Sequence, residues 1–305
     1  MKWRKLGLIY DTQAYVRPWA KHSALSPTPI VLQDCIRIYF SGLDEHTVGK
    51  IGYADFSLEE PTKILKVSPD PVLDLGRPGS FDDNGMILGE IFQQDQDMMM
   101  CYVGFQKVAK AKFLAFSGLA LSRNNGNTFT RMTETPILDR SDEGIYIRAI
   151  HSILYEDHKY KIWYSVGNDW QIIEGLPYPM YDIYYCEATD LFSLPKFGQK
   201  CLPPLGEEYR IGRPKVYKIN GLYYLFFTTS TKDKSYHAGF ATSKNGIDWE
   251  RQPYEALGIT TSEEGFDSLH LCYPALFEVQ GRTYMVYNGN HMGRDGFGLA
   301  ILEQH

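Results

Sequence analysis

The side chains best suited to chemistry in this chain fall into polar clusters set well apart. Arg17, Trp19, Lys21 and His22 form the first, Asp82 and Asp83 the second, and Arg148 and His151 the third. Arg213 marks the fourth, and Asp267, His270 and Tyr273 the fifth. Adjacent carboxylates such as Asp82 and Asp83 can supply a general acid or stabilise developing charge, with Asp83 slightly favoured for that role. His22 or His151 can shuttle a proton or make a further contact to an anion. Arg148 and Arg213 carry the forked guanidinium that grips carboxylate or phosphate through paired bonds. Trp170, with Tyr178 and Tyr181 in the same long loop, offers flat faces on which a sugar ring can stack.

Each cluster also has a plainer reading, and both stay open at this level. Trp19 can sit packed beneath a solvated loop. Asp82 and Asp267 follow matching aromatics, Phe81 and Phe266, so both can be capping residues of Asx-type turns. Arg148 can be held in an internal ion pair with an Asp, since an unpaired charge is costly to bury.

The elements that must position these clusters are announced by an aromatic strand that recurs along the chain. Its copies centre on Tyr39, Tyr102, Tyr164, Phe227 and Tyr287, at intervals of 63, 62, 63 and 60 residues. A sustained period of this length marks a copied supersecondary unit. The fourth copy shows the unit in full. A strand over 213–219 meets the hairpin dipeptide Asn220-Gly221, an aromatic return strand over 222–229, a third strand over 236–243 and a fourth around Trp249.

Four antiparallel strands repeated radially make the blade of a β-propeller. The fifth copy lacks its fourth strand, and Lys2-Trp3-Arg4-Lys5 resembles Asp248-Trp249-Glu250-Arg251. The sequence therefore predicts an all-β, five-bladed β-propeller in which the N-terminal strand closes the last blade, as a single domain over 1–305. The polar clusters then stand where innermost strands begin, around one axis. The hairpins Ser122–Phe129 and Ser243–Trp249 are close to the scaffolding Asp-box turn of sialidase-type propellers.

Composition narrows the partners. A net charge of -6 argues against general nucleic-acid binding. No apolar run approaches the ~20 residues that span a bilayer, and no signal-peptide core opens the chain, so a cytoplasmic location is expected. Five scattered cysteines without a Cys-x-x-Cys pair read as buried thiols. No metal and no cofactor are expected, and the oligomeric state is left open.

Taken together, Pro18-Trp19, Phe81-Asp82-Asp83, Ile137-Leu138-Asp139-Arg140-Ser141, Arg213-Pro214, Tyr287-Asn288-Gly289-Asn290 and Gly296-Phe297-Gly298-Leu299-Ala300 resemble the five-bladed propeller carbohydrate enzymes. These comprise the arabinanase and xylosidase, invertase and levansucrase, and mannoside phosphorylase families. The chain looks most like a branch associated with bacterial surface-polysaccharide gene clusters. The resemblance implies a carbohydrate or sugar-phosphate ligand and chemistry at a glycosidic or glycosyl-phosphate bond.

The chain departs from the hydrolase members, which carry an Asp on the first blade and a Glu on the third. The first blade here offers Lys21 and His22, and the third presents Arg148 and His151, with Glu143 several residues early. Ordinary glycoside hydrolysis needs two carboxylates flanking the bond. A single carboxylate site among cations suits an anionic sugar, or phosphate as co-substrate, as the mannoside phosphorylases resemble. The competing readings are a binding propeller that has lost its carboxylates, and a sugar transferase.

Overall fold

Tight turns with both central residues at positive φ, at 157–158, 174–175, 220–221 and 280–281, fold neighbouring segments into antiparallel hairpins. The computed structural model describes residues 1–303. The chain begins with β1 (Trp3–Asp11) and continues through β2 (His22–Val31), β3 (Ile36–Leu43), β4 (Gly49–Phe56) and β5 (Ile64–Val67). Next come β6 (Met86–Gln94), β7 (Asp97–Gln106), β8 (Leu114–Ser122) and β9 (Thr130–Arg131), then β10 (Ile147–Glu156), β11 (Lys159–Ile173), β12 (Leu176–Ala188) and β13 (Gln199–Leu202). The last are β14 (Glu208–Ile219), β15 (Leu222–Thr231), β16 (Tyr236–Ser243), β17 (Glu250–Arg251), β18 (Cys272–Val279), β19 (Arg282–Asn288) and β20 (Gly296–Leu302).

The fold is all-β. Strands β2–β5 form one four-stranded sheet and β14–β17 another. Strands β6–β9 and β10–β13 are two antiparallel runs, joined into one sheet by a short parallel pairing of Ile147 with Ala115 and Arg148 with Phe116. The remaining sheet has the order β1-β20-β19-β18, so the N-terminal strand pairs with the C-terminal one, from Trp3 opposite Leu302 to Asp11 opposite Gly296.

Strand register explains the aromatic period and corrects it by one residue. Tyr102, Phe227 and Tyr287 each face a glycine on the neighbouring strand: Gly118, Gly239 and Gly298. In the first sheet the residue opposite such a glycine, Gly52, is Phe40, not Tyr39. A side chain at any of these glycines would collide with aromatic rings. Tyr39 points elsewhere, its hydroxyl donating to the Gly126 carbonyl at 2.7 Å, as the Trp163 indole donates to Gly246 at 2.8 Å. Each Asp-box-like turn is thus pinned by an aromatic from the run before it.

A second repeated device is ionic. The segment leading into a run carries a buried carboxylate that meets a cation from that run's outermost strand. Asp82 meets Arg131 at 2.7 Å, Glu208 meets Arg251 at 2.8 Å and Asp267 meets Lys5 at 2.6 Å. In β10–β13 the carboxylate is Glu143, which accepts from Arg148, from the Tyr164 hydroxyl and from the Gly198 amide. The Tyr287 hydroxyl donates likewise to Asp267 at 3.0 Å. All five cysteines are free thiols, four of them buried.

Removing one partner of a buried pair strands the other charge. Asp267→Ala is therefore expected to cost about 3 kcal/mol, and Asp267→Ala with Lys5→Met less than the sum of the single changes. Urea unfolding of the four proteins measures this, and additive effects would show that the pair is not coupled.

Candidate functional site: a cationic cavity on the axis

Each innermost strand breaks register at one matching place. The shifts fall at Ser26-Pro27, Gly89, His151, Arg213-Pro214 and Tyr273-Pro274. From Ser26 they recur after 63, 62, 62 and 60 residues, so the bulge is part of the copied unit. A bulged residue leaves the ladder and can be aimed off the sheet. All five positions line one narrow constriction. Ser26, Arg213 and Tyr273 hold φ near +55°, a conformation that costs a non-glycine residue about 1 kcal/mol or more and concentrates at functional sites.

Above the constriction lies a cavity of about 460 Å³. One wall is cationic and phenolic: Arg210, Arg213, Tyr181, Tyr236 and Tyr273, with Lys112 at the rim. Arg210 is 7% exposed, donates to Ser230 Oγ at 3.0 Å and to the Tyr236 hydroxyl at 2.5 Å. The rings of Tyr209, Tyr236 and Tyr181 stand 4.9, 5.3 and 5.5 Å from its guanidinium carbon. Arg213 donates to the Leu88 carbonyl at 2.6 Å and lies 5.4 Å from the Tyr273 ring. Among the described residues neither arginine has a carboxylate partner, and no Asp or Glu lines the cavity. Aromatic faces and neutral acceptors hold these guanidiniums without neutralising them.

His151 joins the constriction to the cavity, with Nδ1 buried and without a hydrogen-bond partner. Burial, then the charges of Arg213 and Lys215, hold its imidazole well below the usual value. Burial pushes the Tyr273 phenol well above its usual value, so it stays protonated. Ser165 Oγ, on the lining, is likewise buried without a partner. Below, Lys215 is paired with Glu90 at 2.7 Å.

Of the residues singled out in the sequence, His151, Arg213 and Tyr273 meet in this cavity. His270 adjoins it, its ring 5.6 Å from that of Tyr236, its imidazole lowered by burial and by His291 and His237. Asp82 is fully buried, Oδ1 accepting from Ser80 and Oδ2 from Arg131, so it has no free oxygen for a substrate. Asp83 accepts from the Gly79 amide at 2.8 Å, off the lining. Asp267 is consumed by Lys5 and Tyr287, and Arg148 by Glu143 and the carbonyls of Asp139 and Lys196.

The first cluster also lies off the lining. Trp19 is a core residue against Phe40, at 5.4 Å. Lys21 pairs with Glu45 at 3.0 Å, Arg17 donates to the Val16 carbonyl, and His22 is exposed at the start of β2. The long loop expected after Ser165 is instead the outer part of the β11–β12 hairpin, with Trp170 opposite Pro179. Trp170 braces Phe113 from 5.3 Å, while Tyr178 and Tyr181 do reach the lining.

Sequence reasoning missed Arg210, Tyr236 and Ser165 as lining residues. Arg210 stands three residues before the Arg213 bulge, a spacing that signals the site only once the bulge is known. Among the described residues there is no cluster of three or more His, Cys, Asp or Glu able to hold a metal, and no helix is long and apolar enough to cross a membrane.

Strands of this order around such a cavity define an all-β propeller of the kind seen in glycoside hydrolases. A solved glycoside hydrolase superposes with a TM-score of 0.79 at 14% identity, covering 99% of this chain and 92% of that one. A solved structure from the mannoside phosphorylase family, described as containing hydrolases that target β-1,2 mannosidic linkages in Candida mannan, gives 0.65 at 13% identity over 95% and 88%. Those identities carry the fold alone. Within that class the chain belongs to the family of the Mycobacterium tuberculosis (strain ATCC 25618 / H37Rv) protein named "Uncharacterized protein Rv1502", at 30% identity over 305 residues, 99% of this chain and 100% of that one. No protein-family model matches the chain.

His151 gives the site a pH signature. Its folded-state value lies below the unfolded value of 6.5, so protons bind preferentially to the unfolded chain as pH falls through that range. Its contribution to stability is present above pH 6.5 and lost below it, by up to about 1.4 kcal/mol per pH unit. The urea midpoint of the native sequence is expected to drop more between pH 7.5 and pH 5.5 than that of His151→Asn. Equal drops would show that the imidazole is not held neutral.

Proposed function

We propose that the protein is a five-bladed, glycosidase-like propeller whose axial cavity takes an anionic sugar and acts at a glycosyl-phosphate bond. The five-blade count takes β6–β9 and β10–β13 as separate blades. It is supported by the brevity of their parallel link and by the five bulges that share one constriction. The observation that carries the function is that Arg210 and Arg213 face one cavity with no carboxylate to neutralise them.

A buried cation left unpaired is costly, and an anionic ligand offsets that cost. The same donor set disfavours hydrolysis by two flanking carboxylates. A glycosyl phosphate needs no such pair. When its anomeric C–O bond breaks, the bonding electrons leave with phosphate, and guanidiniums stabilise the charge that develops on the departing oxygen. The nucleophile is water or an acceptor hydroxyl, and its proton passes to the departing phosphate or to solvent. His151, held neutral by burial, lines the cavity beside Arg213 without adding charge to it. Surface-polysaccharide metabolism, implied by the sequence resemblance, uses substrates of this class.

A second reading is favoured by the missing carboxylates: the propeller binds an anionic sugar without converting it. Glucose 1-phosphate and mannose 1-phosphate separate the two, with calorimetry reading affinity and phosphate release reading turnover. Arg213→Ala and Arg210→Ala are each expected to weaken binding about tenfold to a hundredfold, the size of a charge-assisted hydrogen bond. Asp83→Ala is expected to change binding and turnover by less than about twofold, against the hundredfold or more that loss of a general acid costs. Binding that survives both arginine changes would sink the anion reading, and binding without phosphate release would select the second.

A further inference from the structure

Resting on that reading of the cavity as an anion site, we propose that its ligand is amphipathic: a sugar phosphate bearing an aliphatic or aromatic group that lies against the apolar part of the lining. Part of the lining is a small apolar cluster of Val103, Ala115, Ile147 and Ala149, extended by Ile87 and Phe113, distinct from the larger core clusters of the sheets. All six residues line the cavity. Leu25 on β2, Leu43 on β3 and Met292 between β19 and β20 add further apolar surface to the lining.

None of these side chains carries an oxygen or nitrogen, and the hydroxyls that adjoin them are those of Ser165, opposite Ala149 in the ladder, and Tyr181. A sugar hydroxyl facing Val103 and Ile147 would leave water without gaining a partner, a loss of roughly tenfold in affinity or more for each such group. The polar groups that can read a ligand, the two guanidiniums and the phenols of Tyr236 and Tyr273, gather beyond Tyr181, whose ring packs against the apolar cluster and stands 5.5 Å from the Arg210 guanidinium carbon. Phe113 is held edge-on between Phe105, at 5.2 Å, and Trp170, at 5.3 Å, so the apolar wall rises to the rim on a braced aromatic. The cavity therefore has two solvents, one for an anion and one for hydrocarbon. The apolar group can be esterified to the phosphate or attached to the sugar.

Calorimetry with inorganic phosphate and with methyl, butyl and hexyl phosphate tests the phosphate-linked form. 6-O-Butanoyl glucose 1-phosphate against glucose 1-phosphate tests the sugar-linked form. Each methylene that reaches the wall is expected to tighten binding about threefold to fourfold, so that in at least one arm the longest apolar ligand exceeds its parent by roughly tenfold or more. Ile87→Thr and Phe113→Ser are expected to shrink that gain to about twofold while leaving the affinity for inorganic phosphate unchanged. Two variants are used so that one remains informative if the other disturbs the sheet, which circular dichroism and unfolding midpoints identify.

No gain in either arm, or a gain untouched by both folded variants, overturns the amphipathic ligand and leaves the anion reading standing. Binding of octyl glucoside in the absence of any phosphate binding overturns the anion reading, and the sugar-phosphate ligand with it, and leaves only an apolar sugar site. Failure of every probe overturns both.

Discussion

The pairing of a lead-in carboxylate with a cation is the interaction on which the rest of the molecule turns. In β6–β9, β14–β17 and the terminal sheet, it ties the segment that carries the chain inward to the outermost strand of the same run. In the last case that strand is β1, so Lys5 and Asp267 join the two ends of the chain across a hydrogen-bonded seam. The ion pairs sit beside aromatic rings: Phe81 on Tyr102 at 5.7 Å, Phe266 near Tyr287 at 5.8 Å, and Arg251 over Phe227 at 4.7 Å. Low local polarity strengthens each pair and makes its loss expensive. The same arrangement removes Asp82, Glu143, Glu208 and Asp267 from the solvent that chemistry would require. Scaffold and site thus compete for carboxylates, and here the scaffold holds them.

What remains at the axis follows from strand geometry. A bulge in every innermost strand directs one residue per copy to a common place, whatever its type. The ladder neither specifies nor needs that residue, which frees it for function. In this chain the five are Ser26, Gly89, His151, Arg213 and Tyr273, a set with one permanent charge and no acid. Three of them hold a left-handed backbone followed by proline, so the strain is locked by a residue that cannot rejoin the ladder.

The repeat was legible in the sequence because aromatic strands and turn dipeptides are local signals, and the union of both chain ends could be read from the missing fourth strand. The site was legible only in part. Asp82 and Asp267 were recognisable as equivalents through Phe81 and Phe266, but their partners Arg131 and Lys5 lie on strands far along the chain, which no local pattern discloses. Arg148 and Arg213 look alike in sequence, each a cation at a strand start. Register separates them: Arg148 stays in the ladder opposite Val166, whereas Arg213 is the bulged residue that leaves it. Reading the period from Tyr39 instead of Phe40 misplaced the glycine-facing residue of the first sheet, since an error of one residue in a strand exchanges its faces.

The charge distribution also bears on how a ligand would be taken up. The protein as a whole carries -6, while the cavity carries Arg210, Arg213 and Lys112 without an acid on its lining. At distances beyond the Debye length of about 8 Å the outer acidic surface is screened and gives an anion little guidance. Long-range steering of the kind that raises association rates therefore has little to work with. Discrimination falls to short-range contacts made after the mouth is passed. There the unpaired guanidiniums meet the ligand's charge in a site braced by tyrosine rings, and binding strength is set mainly by how slowly the ligand leaves.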